Sequence, residues 1–523
     1  MAPPQRTFRP SGRALRRWAG ILWLPVVCVI VALVAFNQAA AADSRPEPAP
    51  EDAEPAPSPV TPVLSARRIP ETLATPGRDS RLSVPLQAVI DRAPPESCLV
   101  VSTDRGRIIY DHNQDLPLVP ASNEKLLTAY AALLRLGPNH VYRTTLASNA
   151  PVADGVIQGD IWLVGSGDPV LASDAYVASF AEQPQIHTDL EVLADRLVAS
   201  GITAISGRVN GDESRYDDVR YVPSWPNRFI GQNQSGPLSA LSVNDGFAAF
   251  PPEGQERGGS GARTPASDPA QYAAAVFTDI LEARGIDVSF NAQSEPVPAG
   301  SLELAAVDSP PLSDIVAQML TSSDNTTAEL LTKELGLRER GAGTTADGAA
   351  AIGQIIVEEG IDREGRVTVD GSGLDPTNRV PCRLLLNILV RSDDDGPLGS
   401  GLAVAGQTGT LAERLTAAPL AGAVQAKTGS LSDVTSLAGY VETVPGEELA
   451  FAMILNGPGA DGLKPLEDEM VAATSDYPQG PTLDDLGPVA VDVTVPAPTT
   501  TVPGGATDTS VDPGATSTTA AGG

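Results

Sequence analysis

Apolar residues follow helical spacing in four stretches of the chain. The first begins at Ser122 and ends before Gly137-Pro138, a pair that stops a helix. The others cover residues 189–201, 268–285 and 313–335. We expect a helix in each, with a break in the last at residues 322–325, where polar residues interrupt the apolar pattern.

Shorter apolar runs have the length of β-strands and lie between turn residues. One pair, SCLVVSTD and GRIIYDHN, is separated by Asp104-Arg105-Gly106. Three more runs follow near the end of the chain, namely AGAVQAKTG, SLAGYVETV and ELAFAMILNG. Their lengths and turn punctuation predict antiparallel neighbours. The fold class is therefore predicted to be α+β, an antiparallel sheet with helices.

Composition divides the chain further. Residues 146–300 mix strand, Gly-rich turn and helix patterns, and we expect a separate α+β unit there. Residues 43–80 begin with Pro alternating with Ala, Glu and Asp, a composition typical of an extended linker. Residues 479–523 are rich in Pro, Thr, Gly and Asp and predict a disordered acidic tail.

The N-terminal segment, residues 1–42, has the pattern of an export signal. Five arginines precede an uncharged stretch whose apolar core covers residues 19–36, and small residues follow at 39–42. The core is also close to the roughly 20 apolar residues that span a bilayer. A cleaved signal peptide and a retained membrane anchor therefore both stay open. Either one predicts an extracytoplasmic body, because the arginines stay inside.

Charge and rare residue types exclude several functions. The net charge of -30 repels nucleic acid, because phosphate binding depends on Lys and Arg. The three histidines and three cysteines show no metal-site spacing, so we expect neither a metal nor another cofactor. Cys28 lies in the apolar leader, and the sequence leaves open whether Cys98 and Cys382 form a disulfide.

Three short motifs carry the candidate chemistry: Ser122-Asn123-Glu124-Lys125, Ser323-Asp324-Asn325 and Lys427-Thr428-Gly429. Each is weak alone, because S-x-x-K arises by chance and Ser, Asp and Asn favour helix caps. Their order and context are informative. The first is predicted to open a helix, the second to interrupt helices and the third to end a strand. Serine nucleophiles that use these three motifs require these positions.

Ser122 is the candidate nucleophile and Lys125 its candidate base. A serine hydroxyl needs a base within hydrogen-bonding reach, and two residues three apart on a helix share one face. Lys125 accepts a proton only when it is neutral, so we expect burial and a second cation such as Lys427 to lower its pKa. The backbone N–H of Ser122, at the helix start, is a candidate oxyanion donor.

The second motif would complete the proton path. The Ser323 hydroxyl is a candidate relay to the leaving amine. The Asn325 amide is a candidate to hold the substrate carbonyl and to orient Lys125.

The third motif is predicted to lie on a strand at the edge of the cleft. Lys427 and Thr428 suit a terminal carboxylate, and Gly429 would let a substrate backbone approach closely. The N–H of Ser430 is the candidate second oxyanion donor.

With these motifs the chain resembles the D-alanyl-D-alanine carboxypeptidase/endopeptidase family, the low-molecular-mass class C penicillin-binding proteins. The resemblance covers most of residues 85–457. Further segments that resemble the family are VGSGDPVL, GRVNGDESRYDD, GPLSALSVNDG, DGSGLD and VAGQTGTL. It implies a transpeptidase/β-lactamase-like domain formed by residues 81–145 and 301–478 and interrupted by a large insert, residues 146–300.

The resemblance also implies a reaction. Ser122 would attack the D-Ala-D-Ala amide, or a cross-link amide, of a peptidoglycan stem peptide, release D-Ala, and be freed by hydrolysis of the acyl-enzyme. β-Lactams would acylate the same serine because they mimic that amide. The balance of carboxypeptidase and endopeptidase activity and the diamino acid of the stem peptide stay open.

Two alternatives remain at this point. A class A β-lactamase shares the three motif types, but it places the first two closer together and needs a glutamate within an E-x-x-L-N pattern, which Glu358 and Glu359 lack. A non-catalytic wall-binding or penicillin-sensing homologue is disfavoured because all the expected side chains are present. An α/β-hydrolase is disfavoured because no G-x-S-x-G elbow occurs.

Overall fold

The computed structural model describes residues 31–33, 70–256 and 263–477. Residues 31–33 are helical and belong to a separate unit, residues 1–65. The rest of the predicted leader, most of the predicted linker and the predicted tail lie outside the described residues. Within the described ranges, no helix combines the length and the apolar character needed to span a bilayer.

The helices, in chain order, are α1 (Pro70–Ile90), α2 (Glu124–Arg135), α3 (Asp174–Ser179), α4 (Glu191–Ala199), α5 (Asn227–Gly231), α6 (Pro269–Ala283), α7 (Leu312–Ser322), α8 (Asn325–Arg340), α9 (Thr345–Glu358), α10 (Cys382–Ser392) and α11 (Lys464–Ser475). The strands are β1 (Glu96–Thr103), β2 (Ile108–His112), β3 (Arg143–Ser148), β4 (Val152–Ala153), β5 (Val156–Ile157), β6 (Ile161–Val164), β7 (Leu171–Ala172), β8 (Thr188–Asp189), β9 (Ala204–Ile205), β10 (Val209–Asp212), β11 (Phe247–Ala249), β12 (Thr264–Pro265), β13 (Asp287–Val288), β14 (Gln293–Ser294), β15 (Leu302–Asp308), β16 (Ala403–Val404), β17 (Val424–Leu431), β18 (Val434–Glu442) and β19 (Glu448–Asn456).

Six strands form an antiparallel sheet in the order β16-β17-β18-β19-β1-β2. Alternate residues of β19 belong to two different cores. Ala452 and Ile454 pack with α2 and α7 to α10, whereas Phe451 and Met453 pack with α1 and α11. Because helices cover both faces, residues 449–455 of the central strand β19 are apolar throughout. The predicted α+β class, with an antiparallel sheet and helices, is confirmed.

A second sheet lies between α2 and α7 in the chain, with the strand order β14-β10-β6-β3-β15. Helices α4 and α6 share a core with it through residues such as Leu193 and Phe277. Strands β3 and β15 pair in antiparallel fashion, so the chain enters and leaves this unit side by side. The boundaries at 146 and 300 stay a prediction; the sheet itself begins at Arg143 and ends at Asp308.

Side chains of this second unit hold helix α8. Glu334 on α8 accepts hydrogen bonds from Arg215 at 2.7 and 3.0 Å and from the Tyr216 hydroxyl at 2.8 Å. The Gly236 N–H donates to Thr326 Oγ1 at 3.0 Å. Because α8 begins with the second motif, these contacts fix where that motif lies.

Helix α1 departs from the sequence prediction. Residues 43–80 were expected to form an extended linker, yet the helix begins at Pro70 and contains two internal prolines. Its residues Leu82, Leu86 and Ile90 are buried in the core that α11 and the sheet complete. The apolar burial of its second half therefore outweighs the helix-breaking tendency of the prolines.

The two cysteines outside the leader form a disulfide, which the sequence had left open. Cys98 on β1 is disulfide-bonded to Cys382, the first residue of α10. Both residues are completely buried. The bond therefore ties the segment before the second motif to the segment after it, on the face of the large sheet that packs against α2 and α7 to α10.

Candidate active site

Ser122 lies in a single 3₁₀ turn, Ala121–Asn123, immediately before α2. Ala121 has φ of +48°, a left-handed conformation that is uncommon for a residue with a side chain. Asn123 donates through Nδ2 to Ser436 Oγ at 2.7 Å, and that hydroxyl donates to the Pro120 carbonyl at 2.7 Å. Strand β18 thus holds the bend that presents the serine, and we call residues 120–123 the nucleophile turn.

Three oxygen atoms surround the Lys125 amine. Nζ lies 3.0 Å from Ser122 Oγ, 2.6 Å from Asn325 Oδ1 and 2.7 Å from the Ser372 carbonyl oxygen. The side chain is completely buried. Burial lowers the pKa of Lys125 to about 8, against an opposing effect of Asp370 and other nearby carboxyl groups. The amine is therefore far easier to deprotonate than an ordinary lysine.

This arrangement suits a base. A neutral amine has two hydrogens and one lone pair, whereas an ammonium has three hydrogens and none. The Asn325 and Ser372 oxygens accept the two hydrogens of the neutral form, which leaves the lone pair for the Ser122 hydroxyl. The contacts therefore allow Lys125 to take the proton of Ser122.

A second lysine lies beside the first. Lys427 is completely buried and donates to Ser323 Oγ at 2.8 Å and to the Thr428 carbonyl at 2.8 Å. Burial, and after it the positive charge of Lys125, lower the pKa of Lys427 well below its ordinary value. The sequence predicted that burial and Lys427 together would lower the pKa of Lys125, and burial is the main cause of the lowered pKa of both amines.

The break between α7 and α8 places Ser323 and Asn325. Ser323 has φ of +65° and ends α7, and the Asp324 side chain caps α8 by accepting from the Thr326 N–H at 2.8 Å. Asn325 accepts from Lys125 through Oδ1 and donates through Nδ2 to the Gln234 carbonyl at 2.6 Å. The amide thus orients Lys125, and its other end is held by the second unit.

Gly429 lies directly against the nucleophile turn. A Cβ at this position would lie 2.2 Å from Ser436 Oγ, 2.8 Å from the Pro120 carbonyl oxygen and 3.1 Å from the Ser122 nitrogen. The glycine therefore makes room for the protein's own nucleophile turn, and the expectation that it also lets a substrate backbone approach closely stays a prediction. The motif also lies inside β17 rather than at its end.

The remaining predicted residues lie on the same strand. Thr428 is partly exposed, and its hydroxyl contacts Thr410 Oγ1 at 2.9 Å. Ser430 is exposed. The structure thus brings Ser122, Lys125 and Asn325 into one network, with the pair of Ser323 and Lys427 and the rest of β17 next to it.

Three groups that contact the motif residues lie outside the motifs: the Ser372 carbonyl, the Gln234 carbonyl and the Thr410 hydroxyl. The Ser372 and Gln234 carbonyls are backbone groups, so no side-chain pattern identifies them. Thr410 and Ser372 do lie in segments that carried the family resemblance, VAGQTGTL and DGSGLD. That resemblance was the one signal that pointed to them; Gln234 had none.

The chain is similar in sequence to known carboxypeptidases. A model of the D-Ala-D-Ala carboxypeptidase 3 (S13) family matches residues 93–264 and 250–477. The chain is 31% identical over 426 residues to a carboxypeptidase of Mycobacterium tuberculosis, covering 78% of this chain and 87% of that protein. It is 28% identical over 450 residues to a D-alanyl-D-alanine carboxypeptidase of Actinomadura sp. (strain R39), covering 72% and 81%.

The fold is similar to that of penicillin binding protein 4 from Haemophilus influenzae. The TM-score is 0.62 at 23% identity, and the match covers 74% of this chain and 98% of that one. At this identity the likeness concerns the fold alone.

The lowered pKa of Lys125 predicts how acylation depends on pH. If Lys125 is the base, its neutral amine is the active form, and the rate rises as pH increases through the pKa of about 8. Between pH 7 and pH 9 the neutral fraction grows about tenfold. We expect the second-order rate constant for acylation of Ser122 by a chromogenic β-lactam to follow it. A rate that stays flat or falls over this range would contradict the assignment of Lys125 as base.

The crowding at Gly429 predicts a loss of activity without unfolding. Gly429→Ala pushes β17 and the nucleophile turn apart, and a misplacement of about 1 Å costs on the order of 100-fold in rate. Acylation kinetics and thermal unfolding are measured together. Gly462→Ala is the control, because a Cβ there meets nothing within 4 Å. If both variants acylate at the wild-type rate, the turn does not depend on this glycine.

Proposed function

This chain belongs to the D-Ala-D-Ala carboxypeptidase 3 (S13) family, and from that premise we propose that it is a serine-type D-Ala-D-Ala carboxypeptidase acting on peptidoglycan stem peptides. The acyl group is carried by Ser122. The observation that supports this best is the 3.0 Å contact between Ser122 Oγ and the buried Lys125 amine, whose other contacts are two oxygen acceptors.

Acylation follows from these contacts. Neutral Lys125 takes the Ser122 proton while Oγ attacks the carbonyl carbon of the penultimate D-Ala. The N–H groups of Ser122 and Ser430 are assigned to the oxyanion. The proton that Lys125 took is relayed through Lys427 and Ser323, which are in contact, to the amine of the departing D-Ala, so Lys125 is neutral again for the next step. Water then hydrolyses the ester and regenerates Ser122.

The edge of β17 is assigned to the substrate's terminal carboxylate. Thr428 is the partly exposed hydroxyl there and would contact the carboxylate directly. Lys427 is buried behind it and contributes positive potential when it holds the relayed proton. Asn325 holds the amide of the peptide, as well as Lys125. A DD-endopeptidase activity would use the same groups on a cross-link.

The two alternatives have less support. A class A β-lactamase would carry its deacylating glutamate in a pattern that this chain lacks, and the family match is to carboxypeptidases. A non-catalytic homologue has no need for a buried lysine of lowered pKa beside a serine. β-Lactams are expected to acylate Ser122 and thereby act as inhibitors.

We also propose an extracytoplasmic location, because residues 1–42 have the pattern of an export signal. N-terminal sequencing of the mature protein separates the two open forms. A start near residue 42 indicates a cleaved signal, and an intact N-terminus in the membrane fraction indicates an anchor through residues 19–36. A full-length protein found in the cytoplasm would contradict the proposal.

The catalytic role of Ser122 predicts a loss that an exposed serine outside the proposed site does not share. Ser122→Ala removes the nucleophile, so covalent labelling by a fluorescent penicillin disappears and D-Ala release from a stem pentapeptide falls by on the order of 10³-fold or more. Ser432→Ala changes an exposed serine just after β17 and is the control; it keeps both the labelling and the D-Ala release. Labelling of Ser122→Ala would contradict the assignment, and an unlabelled wild type would favour the non-catalytic homologue.

A further inference from the structure

The Ser372 carbonyl belongs to none of the three motifs, yet it contacts the catalytic amine. It lies in the loop Asp370–Asp375, sequence DGSGLD, and accepts from Lys125 Nζ at 2.7 Å. A neutral amine aims its lone pair only if both hydrogens have acceptors elsewhere. Asn325 supplies one acceptor and Ser372 the other. Whatever holds Ser372 in place therefore acts on the base.

Glu329 on α8 holds this loop. Its Oε1 accepts from the Gly371 N–H at 3.0 Å and from the Ser372 N–H at 2.8 Å, and the residue is completely buried. Asn325 and Glu329 are four residues apart on α8, so they share one face of the helix. One contacts Lys125 directly, and the other reaches it through the backbone of Ser372.

The loop has no free space in which to shift. A Cβ at Gly371 would lie 1.8 Å from Thr332 Oγ1 of α8. Gly373 has φ of +83°, and a Cβ there would lie 1.8 Å from the Ala121 carbonyl oxygen of the nucleophile turn. The loop is thus packed between α8 and the residues that present Ser122. A change at Glu329 is therefore transmitted to Lys125 rather than absorbed.

We propose that Glu329 is a positioning residue for the catalytic lysine: it holds the Ser372 carbonyl where that oxygen takes one hydrogen of the neutral amine and leaves the lone pair directed at Ser122. This inference rests on the proposed function, because it assumes that Lys125 is the base. It assigns a role to a group that touches neither substrate nor nucleophile.

The charged groups around the amine come from four elements: Glu124 from α2, Asp324 and Glu329 from the start of α8, Asp370 from the loop, and Lys427 from β17. Burial, and after it the charge of Asp370, raise the pKa of Glu329 to about 8. Near neutral pH the Glu329 carboxyl is therefore largely uncharged. Its effect at that pH comes from its hydrogen bonds, which the amide oxygen of a glutamine can replace.

The test compares variants of Glu329 in the full chain. Acylation by a chromogenic β-lactam is measured from pH 6 to pH 9, with thermal unfolding of each variant. Glu329→Ala frees the Ser372 carbonyl, so we expect the maximal rate to fall on the order of 10- to 100-fold. The pH midpoint moves lower than in Glu329→Gln, which also lacks the carboxylate charge but keeps the Ser372 carbonyl in place as an acceptor for the ammonium form. Glu329→Gln keeps the maximal rate within about threefold of wild type.

Two further variants keep the test decisive. Glu334→Ala, on the same helix but bonded to Arg215 and Tyr216, loosens α8 and is expected to keep the wild-type pH midpoint. Glu329→Asp retains the carboxyl but draws its oxygen away from the loop, and it is expected to acylate several-fold more slowly. It replaces Glu329→Ala if that variant does not fold.

Four results would overturn the positioning role. They are wild-type kinetics in both Glu329→Ala and Glu329→Asp, equal impairment of Glu329→Gln and Glu329→Ala, a pH midpoint in Glu329→Ala no lower than in Glu329→Gln, and the same loss in Glu334→Ala. Failure of the proposed function is distinguishable, because it appears in the wild type itself as absent acylation or as labelling that survives Ser122→Ala.

Discussion

The site depends on the amine of Lys125, which has no exposed surface. It is hydrogen-bonded to three oxygens from three separate segments of the chain. Burying such a group costs free energy unless it is paired or neutral. Here the pKa falls to about 8, and the neutral form finds two acceptors for its hydrogens and a hydroxyl for its lone pair. The burial that makes Lys125 costly to fold also lowers its pKa, which the proposed role as base requires.

The fold brings those three segments of the chain together. The antiparallel sheet supplies β17 and β18, which hold the nucleophile turn through Gly429 and Ser436. Helix α8 supplies both Asn325 and Glu329 from one face. On another face of α8, Glu334 accepts a hydrogen bond from Arg215 of the second unit. The Gln234 carbonyl of that unit accepts one from the Asn325 amide. A unit with a core of its own therefore contributes to the geometry of the catalytic amine.

Much of this arrangement follows from the sequence, and the part that does not has a physical cause. A helix from Ser122, the break at Ser323 and the antiparallel C-terminal strands were predicted from apolar spacing and turn residues. The structure contains all three, with the α-helix beginning at Glu124. The family resemblance carried by the three motifs was confirmed. The domain boundaries and the roles of the individual site residues stay predictions.

What sequence reasoning missed depends on contacts between distant residues. The Ser372 carbonyl has no side-chain signature, and the space that Gly429 leaves is filled by a turn some 300 positions earlier in the chain. Helix α1 forms within a proline-bearing stretch because its second half is buried against the sheet and α11. Local composition does not record burial of that kind.

The central claim is that Lys125 is neutral when it acts, and direct titration of its amine tests this most simply. The chain has only four lysines, so selective ¹³Cε labelling gives a spectrum with few signals, and the Lys125 signal is identified by its loss in Lys125→Met. We predict that this resonance titrates with a midpoint near pH 8. A midpoint above about 10, the ordinary range of a lysine, would contradict the account.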